Sequence, residues 1–526
     1  MTREIELKLA ARPSDLARLG HSQALTRYGA GPAQTKRLNT IYYDTPDLGL
    51  AKAGFSLRVR RHGRRYVQTV KSRNSAGMLA VERDEWESPL PSSWPDLRLI
   101  ADPHVRAQMT EIAGDDPVEP KIETQIRRVT RRLTTETGDE IELALDAGEI
   151  RTLANGAAKV PVSEVELELV RGSPASLYDI ARALSQEAPL KIAVETKAER
   201  GLRALEGRAV CPAKAGAVAV PEGASAEDAF RATLRHCLRH LALNVPAVAD
   251  AHDPEGIHQM RVGLRRFRVA LAAFGPAFCN ADIEALRTRA KQLADALGEV
   301  RDLDVFVEEL LLPAAQAASD EPGIAVLRDL AEHKRAVAWQ GAIALVESEA
   351  LAGFLIDLAG ATEECAWRAR PGEGGLDPER LAELAGPGTA IAERALEKRL
   401  AKAKKLGRRI EALEPEDRHR LRIALKKLRY TAEFFAPLYP KSESASFLKR
   451  LSELQDIFGA LNDVAVARAT LASLANADED EEASCPRFAA GLVYGWHMER
   501  ATKTWSKALK RWKSFAKTPP FWRETR

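Results

Sequence analysis

The chain of 526 residues carries 78 Lys plus Arg against 75 Asp plus Glu, a formal net charge of +3, and is 45% hydrophobic, 29% charged and 6% aromatic. Such a length and apolar content suit about two to four domains with real cores and exclude a disordered chain. The near balance of charge excludes a uniformly basic protein but leaves room for local basic sites. The five cysteines, Cys211, Cys237, Cys279, Cys365 and Cys485, are scattered and form no CxxC pair, which argues against a disulfide framework or a zinc site. The charged start Met1-Thr2-Arg3-Glu4 lacks an apolar signal core, and the most apolar window, about 341–360, is broken by Glu347 and Glu349. A cytoplasmic protein without a membrane span is expected.

Up to about residue 205, short runs alternate polar and apolar residues, as half-buried strands do. Examples are Glu4-Ile5-Glu6-Leu7-Lys8, Ser56-Leu57-Arg58-Val59-Arg60, Glu140-Ile141-Glu142-Leu143 and Glu164-Val165-Glu166-Leu167-Glu168, parted by turn-rich pieces such as Thr45-Pro46-Asp47 and Gly138-Asp139. Residues two apart share a strand face. Glu4, Glu6 and Lys8 therefore point one way, as do Arg58 with Arg60, Arg83 with Glu85 and Glu87, and Glu164 with Glu166 and Glu168. An ordinary half-exposed sheet accounts for each strand singly. Same-face glutamates repel one another unless cations compensate, and most of these strands carry such a face. A closed antiparallel barrel with the charged faces inward would enclose a ligand. Its carboxylates suit Mg2+ or Mn2+, and its Arg and Lys suit polyanionic oxygens. A triphosphate needs both. The chain has no GxxxxGK[ST] phosphate loop.

Glu4-x-Glu6-x-Lys8 resembles the signature of the CYTH domain, within the triphosphate tunnel metalloenzymes. Tyr42-Tyr43-Asp44-Thr45-Pro46, Leu57-Arg58-Val59-Arg60, Thr69-Val70-Lys71, Leu145-Asp146 and Glu164-Val165-Glu166 are similar to its later motifs, in order. The resemblance covers about 1–205 and implies an eight-stranded antiparallel β-tunnel that binds triphosphate with a divalent metal. It implies Glu4, Glu6, Glu164 and Glu166 as metal ligands and Asp146 beside the metal and the attacking water. It implies Lys8, Arg58, Arg60, Lys71, Arg83 and Lys197 as phosphate holders, with catalytic roles falling to Asp146 and Lys8. In Arg127-Arg128 and Arg131-Arg132, alternation sends one member of each pair inward; Arg127 is taken as the inward one. Glu168 extends the acidic face beyond the metal site.

Residues 206–224, rich in Gly, Ala and Pro, read as a linker, and from about 225 the pattern turns helical and Ala/Leu/Arg-rich. A loop-like stretch from Pro371 to Pro378 divides that region, and the acidic run Asp478 to Glu482 reads as a solvated loop. A shift of 161 residues carries His258, Arg261, Leu264 and Arg268 onto His419, Arg422, Leu425 and Arg429. The same shift carries Arg289, Leu293, Asp295, Gly298 and Asp302 onto Arg450, Leu454, Asp456, Gly459 and Asp463, with no gap over about 45 positions. An α+β chain is expected, its second part built from duplicated four-helix bundles at about 225–370 and 389–515.

With His258 at 0° and ~100° per residue, Arg261, Arg265 and Arg268 fall within ~80° of it, while Met260, Leu264, Phe267 and Leu271 fall at ~180–240°. Each copy thus carries an apolar stripe beside a His/Arg stripe, the second being His419, Arg422, Lys426 and Arg429. A solvated basic face accounts for one such helix; recurrence in both copies points to a ligand. Four or more cations around the histidines disfavour a divalent ion and favour a polyanion such as phosphate. These segments resemble the CHAD domain over about 225–515, which implies binding of inorganic polyphosphate by His258, Arg261, Arg265, Arg268, His419, Arg422, Lys426 and Arg429. Asp302 and Asp463 read as caps or partners for nearby Arg.

A metal-dependent inorganic triphosphatase with a polyphosphate-binding helical half is therefore expected, in the cytoplasm or at polyphosphate granules. The alternatives are a non-catalytic polyphosphate-binding protein, a class IV-type adenylate cyclase and a thiamine triphosphatase. Nucleic acid is disfavoured because the stripes lack interleaved aromatics.

Overall fold

Alternation in the first two hundred residues closes a sheet whose inner face is charged and whose outer face is apolar. The computed structural model describes residues 2–72, 81–114, 118–153, 158–318, 320–368, 377–475 and 484–523. Residues 371–376 of the loop-like stretch, the acidic run 478–482 and the side chains of Arg83 and Cys485 lie outside the described residues. The strands are β1 Thr2–Ala11, β2 Gln34–Asp44, β3 Phe55–His62, β4 Arg65–Ser72, β5 Val81–Leu90, β6 Glu119–Thr134, β7 Glu140–Thr152, β8 Lys159–Arg171 and β9 Leu190–Ile192. They pair antiparallel in the order β5-β4-β3-β2-β6-β7-β8-β1-β9, and a β5–β1 pairing closes the ring. The sheet has nine strands where eight were expected: eight close the ring and the short β9 adds to one edge of β1. One edge of β1 is shared, residues Thr2–Glu6 pairing with β5 and Leu9–Ala11 with the three-residue β9.

Because charge fills the lumen, most apolar residues of these strands must bury on the outside. Leu7, Leu9, Leu143, Val165 and Leu167 are almost wholly buried. A second outer cluster joins Leu57, Val59, Val70 and Trp86 to Val105 and Met109 of the helix Pro103–Ala113. Each such side chain contributes about 1.5–3 kcal/mol. Helix α1 (Ala175–Ser185) contacts β8, while α2 (Lys197–Leu205) packs on β6 and β7. Gly201 makes that approach possible, since a Cβ there would meet Ile122 Cδ1 at 2.4 Å and Ile150 Cγ2 at 2.9 Å. Thr196 and Glu199 form a capping box at the start of α2, which sets its first residue, Lys197.

The chain divides into two units, Met1–Cys211 with Glu347–Glu364, and Pro212–Val346 with Cys365–Arg526. The helix Glu349–Glu363 therefore belongs with the sheet. It packs on α1 and β9, and Asp357 accepts from Arg182 Nε at 2.7 Å while Lys191 pairs with Glu347 at 2.9 Å.

The second unit is helical: α3 Ala226–Ala249, α4 Pro254–Phe274, α5 Ala281–Ala296, α6 Gly298–Val305, α7 Pro322–Val346, α8 Gly388–Leu406, α9 Pro415–Phe435, α10 Lys441–Ala475 and α11 Ser484–Ala516. Helices α4 and α9 begin at Pro254 and Pro415 and end at Phe274 and Phe435, keeping the offset of the sequence repeat. The copies then diverge, for α5 and α6 break at Leu297 whereas α10 runs on through Gly459. A core of Phe306, Leu310, Leu327 and Ala331 with Val464, Leu471, Ala489 and Val493 joins the two copies. Among the described residues one helix, α10, is long and apolar enough to cross a membrane on length and composition; it is not the window 341–360 that hydropathy alone brings forward. Phe447, Leu451, Leu454 and Phe458 of α10 are buried within this unit.

Candidate active site and polyanion cavities

The tunnel cavity, ≈ 240 Å³, is lined by Glu4, Glu6 and Lys8 of β1, Thr40 and Tyr42 of β2, Arg58 and Arg60 of β3 and Lys71 of β4. Glu85, Thr124, Arg128, Glu142, Asp146, Glu166, Glu168 and Lys197 complete its polar wall. Strand register accounts for the assembly: Arg128 faces Asp146, Asp146 faces Glu164, and Lys8 faces Glu166 across adjacent ladders.

Most acids in this cluster have a base at hand. Lys8 Nζ lies 2.5 Å from Glu6 and 2.6 Å from Glu166. Lys71 Nζ lies 2.5 Å from Glu4, and Glu85 pairs with Arg58 at 3.2 Å. Lys197 reaches Asp146 and Glu166 at 2.8 Å each and also pairs with Glu164, to which Arg200 donates as well. Arg128 forks onto Asp146 and also donates to Glu166.

The electrostatics follow from this pairing. Burial opposes ionisation of Glu166, but Lys197, Lys8 and Arg128 hold it well below the ordinary carboxylate range. Burial opposes ionisation of Glu4 too, but Lys71, with Lys8 and Arg58, holds it below its ordinary value. Glu6 is pushed up to about 7 by burial and by Glu166, and Glu168 to about 7 by burial and by Glu4. Arg60 is lowered to about 10 by Arg58 and by burial. The Tyr42 phenol, despite burial, is lowered by Arg58 and Arg60.

Of the residues expected from sequence, Glu4, Glu6, Lys8, Arg58, Arg60, Lys71, Asp146, Glu166 and Lys197 all line this cavity, and Glu164 joins them through Lys197. Arg127 does not. It is exposed, and Arg128 takes the inward place. Among the described residues the group able to hold a metal is Asp146, Glu164 and Glu166, all buried, with one oxygen of each within 4.8 Å of the others. The metal set expected from sequence thus splits, since Glu4 and Glu6 lie nearby on Lys71 and Lys8 while Asp146 stands among the candidate ligands. An all-oxygen donor set fits a hard dication such as Mg2+ or Mn2+. Thr40, Thr124 and Arg200 carry no signal in the sequence that marks them for this site, whereas Tyr42 lies within a motif the sequence displays and Glu85 on the charged face it shares with Arg83.

In the helical unit, a cavity of ≈ 750 Å³ is lined by His258, Arg261, Arg265, Arg301, His419, Arg422, Lys426 and Arg429, with Asp302, Glu309, Glu433, Asp456 and Asp463 among them. A second cavity, ≈ 740 Å³, shares Arg265, His419, Arg422, Lys426 and Tyr430 with the first and adds Arg268, Arg287, Lys291, Arg399 and Lys427. The two stripes are therefore distributed unevenly: Arg429 faces the first cavity and Arg268 the second. Arg261 Nη1 donates to the Ala294 carbonyl at 3.2 Å, and a Cβ on Gly298 would lie 2.7 Å from that nitrogen, so glycine there makes room for the guanidinium. Asp302 and Asp463 bear electrostatically on Arg261 and Arg422 in turn. The histidines differ. His258 is pushed down to about 4 by burial and by Arg301, whereas His419 is exposed and its Nδ1 lies 2.8 Å from Asn462 Oδ1.

Residues 2–202 match the model of the CYTH domain and residues 232–472 that of the CHAD domain. The chain is a CYTH domain followed by a CHAD domain. The inorganic triphosphatase of Haemophilus influenzae is 30% identical over 206 residues, covering 38% of this chain and 54% of that protein. The uncharacterized protein Rv2226 of Mycobacterium tuberculosis is 25% identical over 282 residues, covering 52% of each. The CYTH–CHAD chain spans about half the length of the curated relatives it matches. The solved CHAD domain of the plant Ricinus communis aligns at 28% identity and a TM-score of 0.49, over 58% of this chain and 97% of that one.

Proposed function

We propose that the CYTH tunnel hydrolyses inorganic triphosphate with Mg2+ or Mn2+ and that the CHAD unit binds inorganic polyphosphate. One observation carries the tunnel reading: a buried three-carboxylate group able to hold a dication, two of its members lining the tunnel and the third paired with Lys197, stands against Lys8, Arg58, Arg60, Lys71, Arg128 and Lys197. That combination suits a polyanion paired with a cation and suits neither alone.

In the unliganded tunnel, acids and bases neutralise one another. Substrate would replace these pairs in concert, the bases turning to phosphoryl oxygens and the carboxylates to the cation. Asp146, Glu164 and Glu166 would hold the cation, with Glu4 and Glu6 beside them, and when bound it would supply charge neutralisation and orientation of water. Arg58, Arg60 and Lys71 would bind non-reacting phosphates, and Lys8 and Lys197 would stabilise charge developing on the phosphoryl oxygens. Asp146 would take the proton of the attacking water. Water's oxygen bonds to a terminal phosphorus as the P–O–P bridge breaks, leaving phosphate and pyrophosphate.

Phosphate release from tripolyphosphate, ATP and thiamine triphosphate, each with Mg2+ and Mn2+, tests this reading. Turnover of tripolyphosphate ahead of the two organic triphosphates is expected, and Glu4→Gln or Glu166→Gln should abolish it. A folded protein that releases phosphate from none of the three overturns it. The CHAD reading rests on the two cavities of matched His, Arg and Lys and is tested by calorimetric titration with polyphosphate. A reducing cytoplasm, with polyphosphate granules as one destination, suits the free Cys211, Cys237, Cys279 and Cys365.

A further inference from the structure

The chain ahead of α3 is not a loose tether. The Ala213 N–H donates to Asn244 Oδ1 at 3.0 Å, and Asn244 Nδ2 donates back to the Ala213 carbonyl at 2.9 Å. The same Asn244 nitrogen donates to the His240 carbonyl at 2.8 Å. His240 Nε2 lies 3.1 Å from the Ala213 carbonyl and 3.0 Å from Gln259 Oε1. Two acceptors facing one ring nitrogen require it to carry the hydrogen. Gln259 Nε2 in turn donates to Glu255 at 2.6 Å. Asn244 is 0%, His240 3% and Gln259 7% exposed. Burying three polar side chains is costly unless each is bonded, and here Asn244 and His240 bond the Ala213 peptide on both sides while Gln259 holds His240.

This clasp at Ala213 fixes the course of the neighbouring residues. Lys214 and Ala215 line the larger cavity together with His258, Arg261, Arg422 and Lys426, and Val218, four residues beyond Lys214, is buried again. Lys214 is exposed and, among the described residues, has no ion pair or hydrogen bond. It lies outside the segment 232–472 that matches the CHAD model. An unpaired ammonium held at the rim of an already basic cavity is unfavourable until a polyanion arrives.

We propose that Lys214 is a polyanion-binding residue of the CHAD unit, supplied by the segment preceding the domain, and that Asn244, with His240 and Gln259, is its positioning residue. This rests on the polyphosphate reading of the cavity.

The test uses the full chain and long-chain inorganic polyphosphate, titrated calorimetrically at several salt concentrations. Lys214→Ala should weaken binding about threefold to tenfold and lower the salt slope of log Kd by about one, the mark of one lost charge contact. Lys214→Arg should retain wild-type affinity, and Lys214→Glu should weaken binding beyond Lys214→Ala. Asn244→Ala should reproduce the slope change, and adding Lys214→Ala to it should cost nothing more; should Asn244→Ala fail to fold, the Lys214 series decides. Wild-type affinity and slope in Lys214→Glu overturn the proposal while leaving the polyphosphate reading standing. A wild-type protein that binds no polyphosphate overturns the reading, and the proposal with it.

Discussion

Arg128 and Asp146 face each other across the β6–β7 ladder, Nε donating to Oδ1 at 2.7 Å and Nη2 to Oδ2 at 2.6 Å. Asp146 is fully buried, so the fork fixes its orientation and keeps both oxygens satisfied. Arg127, one residue earlier, is exposed. The two arginines therefore make a natural pair for comparison.

Arg128→Ala should lower kcat/KM for tripolyphosphate by roughly a hundredfold or more, as loss of a preorganised charged donor does in a dry site. Arg128→Lys should recover little, because an ammonium cannot make the two-point fork. Arg127→Ala should stay within about twofold of wild type, as surface changes do. Steady-state phosphate release checks all three, and equal losses at 127 and 128 would contradict the inward placement of Arg128.

Much of this tunnel was legible in the sequence. The period of two put Glu4, Glu6 and Lys8 on one face because β1 is strictly alternating. It could not choose between Arg127 and Arg128, because the face that carries Arg128 also carries Ile122 and Ile126, which pack where α2 crosses the sheet. With apolar residues inside as well as outside, strand parity lost its marker. Lys197 sits on a helix and followed only from resemblance. On α4, the angular reading grouped Arg268 with His258, yet ten residues of helix rise by about 15 Å, enough to reach a different cavity. Lys214 lies in a segment with no period to read. The helix Glu349–Glu363 was hidden for another reason, since nothing in its composition says which unit its apolar face will cover.

Metal and substrate should bind cooperatively. Either alone must break buried acid–base pairs and strand one partner, whereas both together replace every pair. Tripolyphosphate should therefore tighten Mg2+ or Mn2+ binding, and the metal should tighten tripolyphosphate by the same factor. Titrations of Glu4→Gln, expected to lack turnover, would measure both legs. Independent binding would show that the unliganded pairs are not what the ligands displace.

Gly201 is a stability and activity position at once. Gly201→Val would drive a side chain into Ile122 and Ile150, costing about 1–3 kcal/mol by overpacking, and would lift the helix that starts with Lys197. Thermal unfolding should fall by several degrees and KM for tripolyphosphate should rise. The compensating Gly201→Val/Ile122→Ala pair should recover much of both. A variant with unchanged KM would separate α2 packing from Lys197 placement.

Lys426 makes polyphosphate binding depend on pH. Burial, with Arg422 and Arg265 close by, lowers it to about 7, against some opposition from Asp463. Its folded value thus lies below its unfolded one. Between pH 7 and about 10 the unfolded chain binds more protons, so the unliganded CHAD unit should gain stability as pH rises through that window. A polyanion reverses the preference by favouring the ammonium. Affinity for polyphosphate should therefore fall from pH 6.5 to 9 with uptake of a proton on binding, seen as a buffer-dependent enthalpy. Lys426→Arg, which stays charged, should flatten the affinity profile and abolish the proton uptake. His258, lowered to about 4, is neutral throughout that range and adds nothing to it. A wild-type profile that is flat across pH 7, or one that Lys426→Arg leaves unchanged, would place the ligand away from Lys426.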